Sequence, residues 1–197
     1  ESERKECCNR EHAIVETMGS IEGLPLPGMD NVHELPIGFQ GGIPAARAEH
    51  ATASYEDNMY LFGGESEMGL MQDFFKFDPK ALKWISLTQR NKAWPVRRAG
   101  HNMEASSGRL FIFGGRAKLS NGMTKSLNDV WVYDVSANTW SESITRGGDE
   151  PAGRVHAAST VYNNELWVFG GLDSSSHLTF NDLWSFHLDT HVWTQRH

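Results

Sequence analysis

Three Gly-Gly pairs, each directly after an apolar run, divide this chain into units of similar length: Tyr60-Leu-Phe62-Gly63-Gly64, Phe111-Ile-Phe113-Gly114-Gly115 and Trp167-Val-Phe169-Gly170-Gly171. The pairs stand 51 and 56 residues apart. An arginine precedes each pair by sixteen residues (Arg47, Arg98, Arg154), shortly after Pro44, Pro95 or Pro151, and a histidine follows each arginine (His50, His101, His156). Downstream, an acid is followed eleven residues on by a tryptophan: Asp73 to Trp84, Asp129 to Trp140, Asp182 to Trp193. Four residues beyond each acid comes an aromatic, at Phe77, Tyr133 and Phe186. Such a recurrence outweighs local propensity, because each unit is then one module that buries its apolar face only against its neighbours.

Within a unit the signals are those of short antiparallel strands. Asp57-Asn58 and Asn163-Asn164 are turn material between a strand that starts near the histidine and the aromatic strand that ends at Gly-Gly. After a loop of variable length, a strand is expected around 74–77, 130–133 or 183–186, then a tight turn, then the tryptophan strand. Four strands repeated about every 50 residues predict an all-β propeller built of four-stranded antiparallel blades. The expected blades are 44–94, 95–150 and 151–197, the last one truncated or complete. Residues 1–43 carry eight acids against three bases, with scattered Gly and Pro and no sustained period, and read as an acidic, loosely ordered leader.

Charge and composition narrow the function classes. Eighteen Lys and Arg against 25 Asp and Glu give a net charge of -7, which argues against a sequence-blind grip on nucleic acid. The apolar runs fall far short of the ~20 residues that cross a bilayer, so no membrane insertion is expected. The two cysteines, Cys7 and Cys8, are adjacent, so no disulfide framework is expected. No Asn-x-Ser/Thr sequon occurs, and the first residues lack a signal peptide's apolar core; together these point to a cytoplasmic protein.

The full set of landmarks resembles the kelch-repeat family. Asn128-Asp-Val-Trp-Val-Tyr-Asp134 and Asn181-Asp-Leu-Trp-Ser-Phe186 are similar to that family's third-strand motif almost letter for letter, and the resemblance covers residues 44–197. Three departures stand out. His156 is one residue closer to its arginine than His50 and His101 are to theirs, Asp78 and Asp134 give way to His187, and Phe74-Phe75 replaces Val130-Trp131 and Leu183-Trp184. The resemblance implies a kelch-type β-propeller. Because propellers have about 4–8 blades, three blades imply part of a larger ring, closed by further blades in cis or by a partner chain; pairing of two half rings is the alternative.

The repeated residues read as scaffold. Gly63, Gly64, Gly114, Gly115, Gly170 and Gly171 suit positive φ or close backbone approach. Trp84, Trp140 and Trp193 suit the wedge between sheets. Arg47, Arg98 and Arg154 are expected to bridge to a carbonyl or an acid, with Arg98 also offered at the ring mouth. The histidines of successive blades do not converge on one ion, so no metal and no cofactor is expected. No Gly-x-Ser-x-Gly, no His-Glu-x-x-His and no cysteine within the repeats offers a catalytic constellation, so the segment is read as no enzyme.

Loops on a rigid scaffold remain as carriers of function. Those after Gly-Gly (65–72, 116–127, 172–180) and those between blades (88–98, 142–154) share one face in kelch proteins. Glu65, Glu67, Arg97, Arg98, Arg116, Lys118, Lys125, Asp173 and His177 are the expected partner-binding residues, with Arg97, Arg98 and Arg116 pairing with carboxylates. The expected function is a protein or peptide interaction scaffold or adaptor. The alternative is a targeting propeller of a multidomain enzyme, a phosphatase, oxidase or ubiquitin-ligase subunit, whose catalytic part lies outside the segment.

Overall fold

The computed structural model describes residues 42–88 and 93–197. Residues 1–41 of the expected leader lie outside them, so that reading is not addressed. No described residue is helical. The first sheet is formed by β1 (Ala51–Tyr55), β2 (Asn58–Phe62), β5 (Phe74–Asp78) and β6 (Lys83–Ser86), while β3 (Glu65–Ser66) and β4 (Gly69–Leu70) make a small ribbon between β2 and β5. The second repeats this plan: β7 (Asn102–Ser106), β8 (Arg109–Phe113), β11 (Val130–Asp134) and β12 (Thr139–Ser143), with the ribbon β9 (Arg116–Lys118) and β10 (Thr124–Ser126). The third is β13 (Ala158–Tyr162), β14 (Glu165–Phe169), β15 (Leu183–His187) and β16 (Trp193–Arg196), and a single bridge from Leu172 to Thr179 stands where the others have a ribbon. All pairings within the sheets are antiparallel.

Turn chemistry sets the first hairpin of the later units. Ser106 pairs with Arg109, and Ser107 and Gly108 between them have φ of 49° and 76°. Asn163 and Asn164 hold the same left-handed pair at 50° and 60°. Two consecutive positive φ values match the right-handed twist of the flanking strands, and Gly and Asn adopt them at least cost.

Alternation of side chains gives every sheet two apolar faces. In the second sheet, Met103, Leu110, Ile112, Trp131, Tyr133 and Trp140 pack on Ala51, Ala53, Tyr60, Phe62 and Phe74 of the first. Its other face offers Phe111, Phe113 and Val130 to Leu166, Val168, Trp184, Phe186 and Trp193 of the third. Trp140 and Trp193 thus face the preceding sheet, and each repeated tryptophan pairs across the outer strands with the repeated aromatic: Phe77 with Trp84, Tyr133 with Trp140, Phe186 with Trp193. Burying an aromatic of this size contributes on the order of 2 kcal/mol or more. First strands of successive sheets lie side by side, β1 by β7 and β7 by β13, which is the inner rim of a propeller. Main chain ties the rim, Gly100 N–H donating to Glu49 O and His156 N–H to Gly100 O, each at 2.9 Å, and Asn102 Nδ2 adds a bond to Ala157 O at 2.7 Å.

Candidate functional site: the loop face

Each repeated arginine holds its own blade with its side chain, and Arg98 and Arg154 hold the preceding blade with their main chain. Arg98 Nη1 donates to Gly114 O at 2.9 Å, and its two terminal nitrogens grip both oxygens of Asp129 at 2.8 and 2.7 Å. Arg154 does the same with Gly170 O and Asp182, and Arg47 with Gly63 O and Asp73. The bond from Arg154 holds the Asp182 carboxyl below the usual carboxylate range. Meanwhile Arg98 N–H donates to Met71 O and Gly64 N–H to Arg98 O; Arg154 repeats both bonds with Leu127 O and Gly115 N–H. The expected role of Arg98 at the ring mouth is therefore corrected: its side chain is 0% exposed, sealed by Asp129.

The second glycine of each pair fits against the next residues after the arginine. A Cβ on Gly115 would sit 2.9 Å from Ala99 O and 2.8 Å from His101 Cβ, and on Gly64 or Gly171 it would come within 2.7 Å of Ala48 O or Val155 O. This registers Ala48, Ala99 and Val155 as one position, Glu49, Gly100 and His156 as the next, and His50, His101 and Ala157 as the third. His156 is thus not the third member of the histidine series. It takes the left-handed position of Glu49 and Gly100, at φ 55° beside 54° and 67°, and its Nε2 lies 3.7 Å from Glu49 Oε2. His50 and His156 are exposed, whereas His101 is buried, and burial, helped by Arg98, pushes its imidazole down to about 3. Among the described residues no group of three or more His, Cys, Asp and Glu is placed to hold a metal.

The strands carry the Gly-Gly ends, the ribbons and the inter-blade loops to one side of the three sheets. Arg116, expected to be free for a partner, reaches from the second blade to Glu49 and Glu65 of the first. Burial alone would lower its pKa, and the hydrogen bonds to the two carboxylates outweigh it and raise it. Asp173 takes hydrogen bonds from the Ser176 and Ser175 hydroxyls of its own loop and from the Ser126 hydroxyl of the second blade, which hold its carboxyl well below the usual range. Glu67, Arg97, Lys118, Lys125 and His177 are exposed. Arg97, Lys118 and Lys125 enter no ion pair among the described residues.

Two features of this side lay beyond sequence reasoning. The loop tips display large apolar side chains, Met68 at 99% exposure, Leu119 and Met123 in the second loop and Leu178 in the third. Beside the first loop, Met71, Gln72, Asp73, Trp94 and Arg97 line an open cavity of about 300 Å³, where Trp94 Nε1 donates to Gln72 O at 2.6 Å. In the sequence, Arg116-Ala-Lys118 alternates polar and apolar as a strand does, while its partner Thr124-Lys-Ser126 is polar throughout.

Among known proteins, the chain is 28% identical over 148 residues to the leucine-zipper-like transcriptional regulator 1 homolog of Drosophila melanogaster, covering 74% of this chain and 15% of that one. It is 29% identical over 161 residues to Kelch domain-containing protein 3 of Homo sapiens, covering 78% and 41%. The chain thus spans less than half the length of either relative. A solved structure of YjhT superimposes with a TM-score of 0.61 at 23% identity, covering 77% of this chain and 52% of that one, which shows the propeller fold. Among the described residues no helix is long and apolar enough to cross a membrane. The model of the KLHDC2/KLHL20/DRC7 Kelch-repeats domain matches residues 31–197, and the chain belongs to this kelch-repeat family.

Proposed function

We propose that this chain is a protein-interaction module without a catalytic step of its own, a cytoplasmic adaptor that takes a protein or peptide segment on its Gly-Gly side. The observation that carries the reading is the large apolar residue exposed at the tip of each of the three loops, Met68, Met123 and Leu178. Apolar tips on ordered loops favour association because little conformational entropy remains to be lost. Unpaired Arg97, Lys118 and Lys125 beside them favour a partner that mixes apolar and acidic side chains, while Arg116 with Glu49 and Glu65 forms the floor. Glu67, Asp173 and His177 edge the same surface.

A peptide display library selected on the chain tests this. Enriched peptides are expected to lose at least about tenfold in affinity, roughly 1.4 kcal/mol, when Met68→Ser, Met123→Ser and Leu178→Ser are combined, and to bind Leu82→Ser, on the opposite side, as they bind the wild type. Peptides that ignore the triple variant and respond to Leu82→Ser would place binding on the other face and end the proposal.

A further inference from the structure

The junction of the first and second blades differs from that of the second and third at one residue with a geometric consequence. Arg98 and Arg154 share a register position, each donating its N–H to the preceding blade, at Met71 O and Leu127 O. The residue before them is Arg97 at one junction and Gly153 at the other. A Cβ on Gly153 would sit 2.5 Å from Ser126 O, so the loop closes on that strand only because the position is glycine. Arg97 carries a Cβ and cannot come as near; its Nη1 stops 3.5 Å from Leu70 O, the counterpart of Ser126 O. The space left is the open cavity of about 300 Å³ lined by Met71, Gln72, Asp73, Trp94 and Arg97. Its walls come from two blades packed on each other, not from the outer faces of the first and third.

The lining is firm and carries one free charge. Trp94 packs on Phe62 and Trp140, with ring centroids 6.5 Å apart in both cases, and its Nε1 donates to Gln72 O at 2.6 Å, so the indole is fixed before any ligand arrives. Met71 is the other apolar residue of the lining, and thioethers suit aromatic neighbours. Asp73 commits both oxygens to Arg47, at 2.5 and 2.8 Å, so its charge is balanced within the protein. Arg97 is exposed and enters no ion pair among the described residues. The cavity therefore joins an indole wall to a cation that still lacks a counter-charge.

We infer that this junction is the anchor subsite of the interaction face: it takes one aromatic side chain of a protein partner against Trp94, with a neighbouring carboxylate of the same segment on Arg97. The inference rests on the reading of the Gly-Gly side as a protein-interaction surface and adds which side chains the partner must bring. A cavity of about 300 Å³ stands at the lower end of the ~300–1,000 Å³ of small-molecule sites, which suits one side chain rather than a larger ligand. Flat rings stack on indole, and arginine matches a carboxylate with two parallel N–H donors. Since Gly153 closes the equivalent place at the next junction, the subsite also fixes where along the face the partner's segment lies.

Nuclear magnetic resonance of the 197-residue chain tests this, with the capped dipeptide N-acetyl-phenylalanyl-aspartyl amide as the probe. The chain has seven tryptophans, and Trp94→Phe identifies the indole N–H signal of Trp94 by its loss. The probe is expected to shift that signal saturably. Arg97→Gly, which puts the second junction's residue at the first, is expected to weaken the probe at least about tenfold, and the asparaginyl version of the probe to bind the wild type as weakly. Melting temperatures confirm that both variants are folded. A Trp94 signal that the probe leaves in place overturns the inference, as does equal affinity for Arg97→Gly or equal affinity of the two probes. Display-selected peptides separate this inference from the reading it rests on. Peptides that respond to the combined Met68→Ser, Met123→Ser and Leu178→Ser variant but not to Arg97→Gly keep the interaction face and overturn the anchor. Aromatic, acidic peptides that respond to Arg97→Gly but ignore the triple variant uphold the anchor and overturn the role of the loop tips.

Discussion

Arg98 and Asp129, 31 residues apart, form a two-pronged ion pair in which the guanidinium is wholly buried and the carboxylate is 23% exposed. A buried cation stripped of its counter-charge costs about 3–5 kcal/mol, so Asp129→Asn is expected to lower unfolding free energy by about that amount. Asp73→Asn is expected to cost less, because Asp73, beside Arg47, is 36% exposed and water screens part of the loss. Urea denaturation of the two variants checks the ranking, and equal costs would contradict it.

Close backbone packing distinguishes two glycines that share a positive φ. Gly115, at φ 91°, has no room for a methyl group against Ala99 O and His101, while Gly122, at φ 83°, has no atom within 4 Å of its added Cβ. Gly115→Ala is expected to cost about 3 kcal/mol or more and Gly122→Ala about 1 kcal/mol, the conformational term alone. Thermal melts of both report the difference.

One departure from the repeat offers a stabilising change. Trp131 Nε1 donates to Asp129 at 2.8 Å and Trp184 Nε1 to Asp182 at 2.7 Å, but the first blade has Phe75 two residues after Asp73. Phe75→Trp is expected to add the missing bond and raise stability by about 1 kcal/mol. A lowered melting temperature would show that the pocket between Arg47 and Trp84 lacks the volume.

Acid should weaken the fold through His101. Its folded pKa is depressed to about 3 from 6.5, so below about pH 6.5 the unfolded chain takes up a proton that the native one refuses. Its contribution is full above pH 6.5 and is lost as pH falls toward 3, at up to about 1.4 kcal/mol per pH unit. Denaturation midpoints at pH 7 and pH 5 are expected to separate more for the wild type than for His101→Leu.

Spacing made the architecture legible, because a propeller repeats one solution and each landmark answers a fixed geometric need. Sixteen residues from arginine to glycine is the span that lets Arg98 reach Gly114 O. What failed was orientation. Arg97 and Arg98 are adjacent and chemically alike, yet one is exposed and the other sealed, and only the position of Asp129 decides which. His156 misled for a related reason: the spacing from arginine to strand is unchanged, but the histidine falls one position earlier and Ala157 takes the site of His101, so the imidazole lands at the rim. The β3 and β4 ribbon was unreadable because two residues a side are too few to show a period. The candidate site was legible only as a set of loops; which of its charges were already paired depended on contacts between blades, as at Arg116.

At the inner rim, Glu49, Gly100 and His156 keep one backbone conformation while sharing no side-chain chemistry. The bonds there run from amide to carbonyl and make no use of the side chains, although Glu49 also takes an ion pair from Arg116 of the next blade. An acid, a hydrogen atom and an imidazole can therefore stand side by side around the opening, and His156 is the spoke whose charge selection can rewrite while the amide-to-carbonyl wheel stays whole.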